Sequence, residues 1–394
     1  MGSLHELQQR VNAFQIAIRK EAIQGALVAQ RADTLYFTGT AQDEHVYIPN
    51  IGQPLVLAFK DAERAREECP WEVVKLQGYS KLPQQIMSAG HNKLEKIGLE
   101  FDVLPVANFE RYKKAFADTT FVDISSTLRN VRAIKSPWEI SQIEKGCAIY
   151  AEMIDHISRH LRPGMSEAEL ESIAAYKARL LGNEPMLRLR GFGSAFHFGT
   201  VTAGTRAAVP SYFNGPIGGL GVSASMSMGA SQHSIEPGEA IVADIGIVIN
   251  GYHSDVTRML VIGDVNKKLR KAYEFSLAIE EQVRKLLVPG RVAGDIYDEV
   301  TAWVSSETPY AHNFMGFGAS QVRFVGHGIG LELDELPTIS KGSREIIKLG
   351  MVIAVEPKFI FPGEGAIGIE DSFLVEDLAG ARCLSTMSKD IIRV

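Results

Sequence analysis

The feature that most constrains this chain is that its second part repeats itself. Leu161-Arg162-Pro163-Gly164 and Leu287-Val288-Pro289-Gly290 each close a helical pattern, and each is followed by another helix. A similar phrase then comes in both halves, Gly191-Phe192-Gly193-Ser194 and Gly316-Phe317-Gly318-Ala319-Ser320. Further on, the stretch from Gly238 to the acid at 244 parallels that from Gly350 to the acid at 356. In both, an apolar strand ends in a carboxylate six residues after a glycine. A second carboxylate follows on the next strand, Asp255 after Asp244 and Glu370 after Glu356. Such a pattern predicts two related α/β halves that face each other, each contributing a pair of acids to one shared centre.

Alone, an acid in an apolar strand reads as a hydrogen-bonded core residue or a turn former. Four in mirrored positions read differently. Carboxylates gathered in a poorly hydrated pocket repel one another and hold their protons unless a cation neutralises them. Two divalent cations would balance four carboxylates. His327, within Gly326-His327-Gly328-Ile329-Gly330, lies between the two acid pairs in the sequence and offers an imidazole, and its glycine neighbours permit close backbone approach.

The first part of the chain is organised differently. Short apolar runs at 25–29, 35–37, 55–59, 73–76, 97–100 and 121–124 alternate with helical stretches, which predicts a small α/β domain. A charged joint at 129–137 precedes a long helical pattern over 138–161, so the boundary is placed near residue 130: an α/β domain over 1–130 and a catalytic domain over 131–394. Composition excludes several classes. A net charge of −6 offers no basic field to nucleic acid, and no apolar run reaches the roughly 20 residues that span a bilayer. The first 20 residues are polar and amphipathic, unlike a secretory signal. Three widely spaced cysteines, Cys69, Cys147 and Cys383, fit neither a disulfide framework nor a cysteine metal cluster, so a reducing cytoplasm is expected.

Taken together, several phrases resemble the pita-bread metallopeptidases, a family that includes methionine aminopeptidase, aminopeptidase P and prolidase, with creatinase as a non-metallic relative. The phrases are Ala243-Asp244-Ile245-Gly246, Gly251-Tyr252-His253-Ser254-Asp255-Val256-Thr257-Arg258, Gly326-His327-Gly328-Ile329-Gly330-Leu331, Val355-Glu356-Pro357 and Gly368-Ile369-Glu370-Asp371, in family order. The similarity extends to the joint at 132–139 and to Leu35-Tyr36-Phe37-Thr38-Gly39. It implies an α/β (α+β) chain with a creatinase-like N-terminal domain and a pita-bread catalytic domain of pseudo-twofold symmetry. It also implies Asp244 as a bidentate ligand of one metal, His327 and Glu356 as ligands of the other, and Asp255 and Glu370 as bridges. A hydroxide shared between the ions would attack the substrate carbonyl, with Glu356 shuttling the proton. Thr257 would orient a ligand. Manganese, cobalt, iron and zinc all suit such a site, and relatives with this N-terminal domain are commonly homodimers.

The substrate-facing positions depart from the resemblance. Proline-directed members carry a histidine just after a proline where this chain has Pro210-Ser211-Tyr212-Phe213, and a second histidine where it has Asp334. An arginine two residues before the last metal acid, present in aminopeptidase P, is Gly368 here. A Gly- and Ser-rich segment around 218–229 reads as a loop that reshapes the substrate entrance. Tyr212, Phe213, Arg323 and Asp334 are pocket candidates by proximity to the motifs, and His233 and His197 are candidates to replace the missing imidazole. The reading that results is a peptidase cleaving short Xaa-Pro peptides. Two alternatives stay open: a non-peptide small-molecule hydrolase or lyase on the same metals, and a non-catalytic binding protein.

Overall fold

The computed structural model describes residues 2–191 and 198–394. They fall into two compact units, one of the residues up to Arg132 together with Arg190 and Gly191, the other of the remaining described residues from Ala133 onwards. The first unit is built on a six-stranded sheet of β1 (Gly25–Val28), β2 (Glu44–Pro49), β3 (Leu55–Ala58), β4 (Glu72–Lys75), β5 (Lys96–Leu99) and β6 (Thr120–Asp123), in the order β4-β3-β2-β1-β5-β6. β2 runs antiparallel to both neighbours and the other pairs are parallel. Two local expectations are corrected. Residues 35–37 lie in a helix, Arg31–Thr38, because the Gln30 side chain caps the Ala32 and Asp33 amides and Gly39 closes the other end at φ 78°. The strand at Glu44–Pro49 was hidden by Glu44 and His45, both buried.

The second unit repeats one plan twice. Helix Pro137–His160 opens on a capping box, Ser136 with Glu139, and is followed by helix Glu167–Leu180; helices Lys267–Leu286 and Ala293–Glu307 are their counterparts. After the first helix pair come β7 (Gly199–Ala203), β8 (Ile241–Ile249) and β9 (Tyr252–Val261), paired in the order β9-β8-β7. After the second come β10 (Phe324–Gly328), β11 (Glu335–Ser340), β12 (Val352–Val355), β13 (Lys358–Phe361), β14 (Gly365–Gly368), β15 (Asp371–Asp377) and β16 (Gly380–Cys383). Five of these form a sheet ordered β11-β10-β12-β15-β16, while β13 and β14 pair as a ribbon; β17 (Ile392–Arg393) joins the first sheet beside β9. Apolar side chains of the two halves, among them Val242, Met259, Val325, Val355, Phe359 and Phe373, share one core.

Two local devices position the acids. Asn250 and Gly251, at φ 51° and 83°, make the two-residue turn between β8 and β9. An Asn-Gly turn of this kind fixes the register of a hairpin. Here it sets Asp244 opposite Thr257 and Gly246 opposite Asp255, so that all four share a face. At the other side, Thr257 and Glu370 exchange backbone hydrogen bonds at 3.2 and 3.4 Å, joining the short link just before Asp371–Asp377 to β9.

Candidate metal centre

The five expected ligands converge on one buried place in the second unit. Asp244, Asp255, His327, Glu356 and Glu370 all line one cavity, together with Thr200, Leu187, Phe213, Pro216, Met228, Phe324, Leu333 and Asp334. One donor atom each from Asp255, His327 and Glu370 lie within 4.8 Å of one another. His327 Nε2 stands 3.8 Å from Glu356 Oε1 and 4.0 Å from Glu370 Oε1. The ring is turned that way by its other nitrogen, Nδ1, which lies 3.1 Å from the Gly328 carbonyl oxygen and 3.3 Å from Asp334 Oδ1. Glycine on both sides of His327 is needed for this packing: a Cβ at Gly326 would lie 2.5 Å from the Ala354 carbonyl oxygen, and one at Gly328 would lie 2.2 Å from that of Leu336. The Thr257 hydroxyl donates to Glu370 Oε2 at 3.0 Å.

Three further residues complete the arrangement, and motif reading gave none of them a role. Lys358, the residue after Glu356-Pro357, is 1% exposed and brings its Nζ to Asp244 Oδ2 at 2.8 Å, Glu356 Oε2 at 2.7 Å and Glu370 Oε2 at 2.8 Å. Arg258 is fully buried, pairs with Asp371 at 2.8 Å, and donates to the carbonyls of Thr257 and Glu370 at 2.9 and 3.0 Å. It thereby braces the residues at which the two halves meet. His253 accepts from the Arg188 amide on Nε2 at 2.9 Å, which makes Nδ1 the donor to the Gly330 carbonyl, also at 2.9 Å, and ties β9 to the glycine turn after His327.

The electrostatics are those of a cluster short of positive charge. Burial pushes Asp255 well above the ordinary carboxylate range, and Glu370 and Asp244 add repulsion. Burial raises Glu370 to about 8, with Lys358 pulling against it, and raises Glu356 against Lys358 and His327. For His327, burial opposes the charged ring, but Asp334, Glu356 and Glu370 together hold its pKa above the usual value. The same balance, burial against Asp244, Glu356 and Glu370, leaves Lys358 firmly protonated.

A divalent cation fits this place. Glu370 Oε1 is buried and lacks a hydrogen-bond partner among the described residues, and it points into the space shared with His327 Nε2 and Asp255. A buried acceptor left open in this way is expensive unless something else satisfies it. Oxygen donors with one imidazole are the set that borderline divalent metals take.

A sequence model of metallopeptidase family M24 matches residues 141–377, and one of the creatinase/prolidase N-terminal domain matches residues 10–134. The chain belongs to metallopeptidase family M24. This M24 member is 27% identical over 389 residues to an Xaa-Pro dipeptidase of Pyrococcus furiosus, a match that covers 98% of this chain and 100% of that one. The prolidase structure from P. furiosus superposes with a TM-score of 0.77 at 25% identity, over 95% of this chain and 99% of that chain. An Xaa-Pro dipeptidase structure from Bacillus anthracis superposes at 0.82 with 24% identity, over 98% and 100%. The expected fold, a creatinase-like N-terminal α/β domain followed by a pita-bread catalytic domain, is the fold of this M24 chain.

The candidate pocket residues of this M24 member are distributed unevenly. Phe213 and Asp334 line the cavity of the metal cluster. Tyr212, 60% exposed, lines a neighbouring cavity that shares the 213–216 wall. Arg323 lines neither cavity, and its carbonyl accepts from the Lys341 amide at 3.0 Å. His233 lines neither as well; its Nε2 lies 3.1 Å from Glu239 Oε2. His197 lies outside the described residues. The Gly- and Ser-rich segment closes on itself through backbone bonds from Gly219 to Val209, Gly221 to Gly229 and Gly229 to Gly218, and sends Ile217 and Met228 to the cavity wall.

Proposed function

We propose that the cluster binds divalent metal and that the chain hydrolyses short peptides with proline after the scissile bond. The supporting observation is the convergence of four acids and one imidazole on a cavity with an apolar rim, in a chain similar over nearly its whole length to an Xaa-Pro dipeptidase. Asp255, His327, Glu356 and Glu370 are the residues that would hold an ion. When bound, it supplies a Lewis acid for the peptide carbonyl and lowers the pKa of water. Glu356, whose proton affinity burial raises, accepts a proton and returns it to the leaving amine. Asp334 keeps the His327 ring in orientation. Phe213, Pro216, Phe324 and Leu333 exclude water and offer an apolar wall to a proline ring. Manganese, cobalt, iron and zinc all suit the donor set, and four carboxylates would balance two such ions if no other cation were present. A homodimer belongs to the same reading, as does a reducing, cytoplasmic setting, with which the three unpaired thiols agree.

A metal-supplemented assay of Xaa-Pro dipeptides, longer Xaa-Pro peptides and small amidino and sulfonium compounds tests this. Metal-dependent cleavage of an Xaa-Pro bond is expected. Turnover confined to the non-peptide compounds, or none with any metal, would overturn the proposal.

A further inference from the structure

We infer that Lys358 is a built-in cation standing where a second metal ion would sit, so that the centre holds one divalent ion and one ammonium. The inference rests on the metal-binding reading above and narrows it.

The ammonium has three N–H donors, and three carboxylate oxygens receive them: Asp244 Oδ2, Glu356 Oε2 and Glu370 Oε2, all within 2.8 Å. These belong to three of the five residues expected to ligate metal. The other oxygens of the two glutamates face away from the lysine, Glu356 Oε1 and Glu370 Oε1 standing 3.8 and 4.0 Å from His327 Nε2. Each glutamate therefore spans two positive positions, one filled by Nζ and one beside His327 and Asp255. Bridging carboxylates do the same between two metal ions. An ion placed on the Asp244 side would have to bond oxygens already held by a like charge at hydrogen-bond distance, which is the arrangement electrostatics disfavours most in a buried site.

The backbone makes room for the lysine. Lys358 pairs with Gly368 across the β13–β14 ribbon, and a Cβ at Gly368 would lie 2.5 Å from Lys358 Cγ. The bare glycine is what lets the lysine stem lie flat and deliver its ammonium inward, while Phe359 and Phe361 anchor the same strand in the core. With all four acids ionised around a bound ion, the charges of Asp244, Asp255, Glu356 and Glu370 are met to within one unit by Lys358 and one divalent ion, so charge balance does not require a second ion.

The test is metal counting on the full-length chain, loaded with Mn(II), freed of excess ion, and measured by native mass spectrometry and elemental analysis, with electron paramagnetic resonance as an independent readout. Wild type is expected to hold one ion per chain, with the six-line spectrum of an isolated Mn(II). Lys358→Gly, or Lys358→Ser should the glycine variant fail to fold, is expected to hold two, with the broadened spectrum of an exchange-coupled pair. Asp244→Asn in the wild-type background is expected to keep its single ion, because Asp244 serves the lysine. Two ions in wild type would overturn the inference and leave the metal-binding reading intact. One ion in both wild type and the lysine variants would also overturn it, since the lysine would then not be what limits the count. Loss of the ion in Asp244→Asn would count against it in the same way. No ion in wild type would overturn the metal-binding reading itself.

Discussion

Replacing Arg258 with methionine should unfold the second unit far more readily, by an amount the structure allows to be worked out. The guanidinium is fully buried and makes five contacts: Asp371 Oδ1 at 2.8 Å, the carbonyls of Thr257, Glu370 and Ser388 at 2.9 to 3.0 Å, and Ser385 Oγ at 3.1 Å. Methionine fills much of the volume, so little of the cost is cavity. What is lost is the partner of a carboxylate with no solvent exposure, and removing one side of a buried pair typically costs about 3–5 kcal/mol. Lys389 Nζ remains 3.0 Å from Asp371 Oδ2, although without an aligned hydrogen bond, and should hold the loss near the low end, at roughly 3 kcal/mol. Urea unfolding followed by tryptophan emission, run on wild type, Arg258→Met, Asp371→Asn and the double variant, reads this directly. The double variant should lose at least about 2 kcal/mol less than the two singles together, as expected for residues in contact. A single-variant loss below about 1 kcal/mol, or strict additivity, would refute the view that this pair braces the junction at Thr257 and Glu370.

Three further outcomes are expected. Glu356→Gln should cut peptide turnover by about 10²–10⁴-fold with metal supplied in excess, and wild-type rates from a demonstrably metal-loaded variant would remove Glu356 as the proton carrier. Asp255→Ala and Glu370→Ala should each lose most bound metal by elemental analysis, whereas full occupancy in both would exclude them as ligands. In the first unit, burial raises Glu44 from an ordinary 4.5 to about 8, so between those values the folded chain keeps a proton that the unfolded chain has released. Stability from this group is therefore complete below pH 4.5 and falls as pH rises towards 8, by about 1.4 kcal/mol per unit of pH within the window. Glu44→Gln cannot ionise and should gain on wild type in thermal melts from pH 5 to pH 8; parallel curves would show that Glu44 does not titrate in this range.

Much of the cluster was legible because its acids obey a pattern that repeats. Asp244 and Glu356 come at matching distances from glycines, Asp255 and Glu370 lie beyond them, and the physics of clustered acids turns the pattern into a cation site. Helix Pro137–His160 was equally plain, since Ser136, Pro137 and Glu139 mark its start and Pro163-Gly164 follows its end. Short apolar runs carried less information: Leu35-Tyr36-Phe37 suits a strand as well as a helix, and the cap at Gln30 decided it. Lys358 escaped because a lysine opening a strand reads as a side chain that reaches for water. Its signal was present in the Gly368 that takes the place of an arginine, but nothing in the linear order says that positions 358 and 368 are paired. The contacts of Asp334 with His327 and of His253 with Gly330 were hidden for the same reason, as they depend on turns whose geometry the residue types alone do not dictate.

The bond between Thr257 and Glu370 spans 113 positions of chain. Each half of the repeat can close its own hairpin early, because the Asn250-Gly251 turn and the β13–β14 ribbon are local contacts that form quickly. The donor set cannot form that way, since His327 and Glu370 come from one half and Asp255 from the other. Ion capture must then follow docking of the halves, so added metal should leave the refolding rate of the chain nearly unchanged and lengthen the lifetime of the folded form instead.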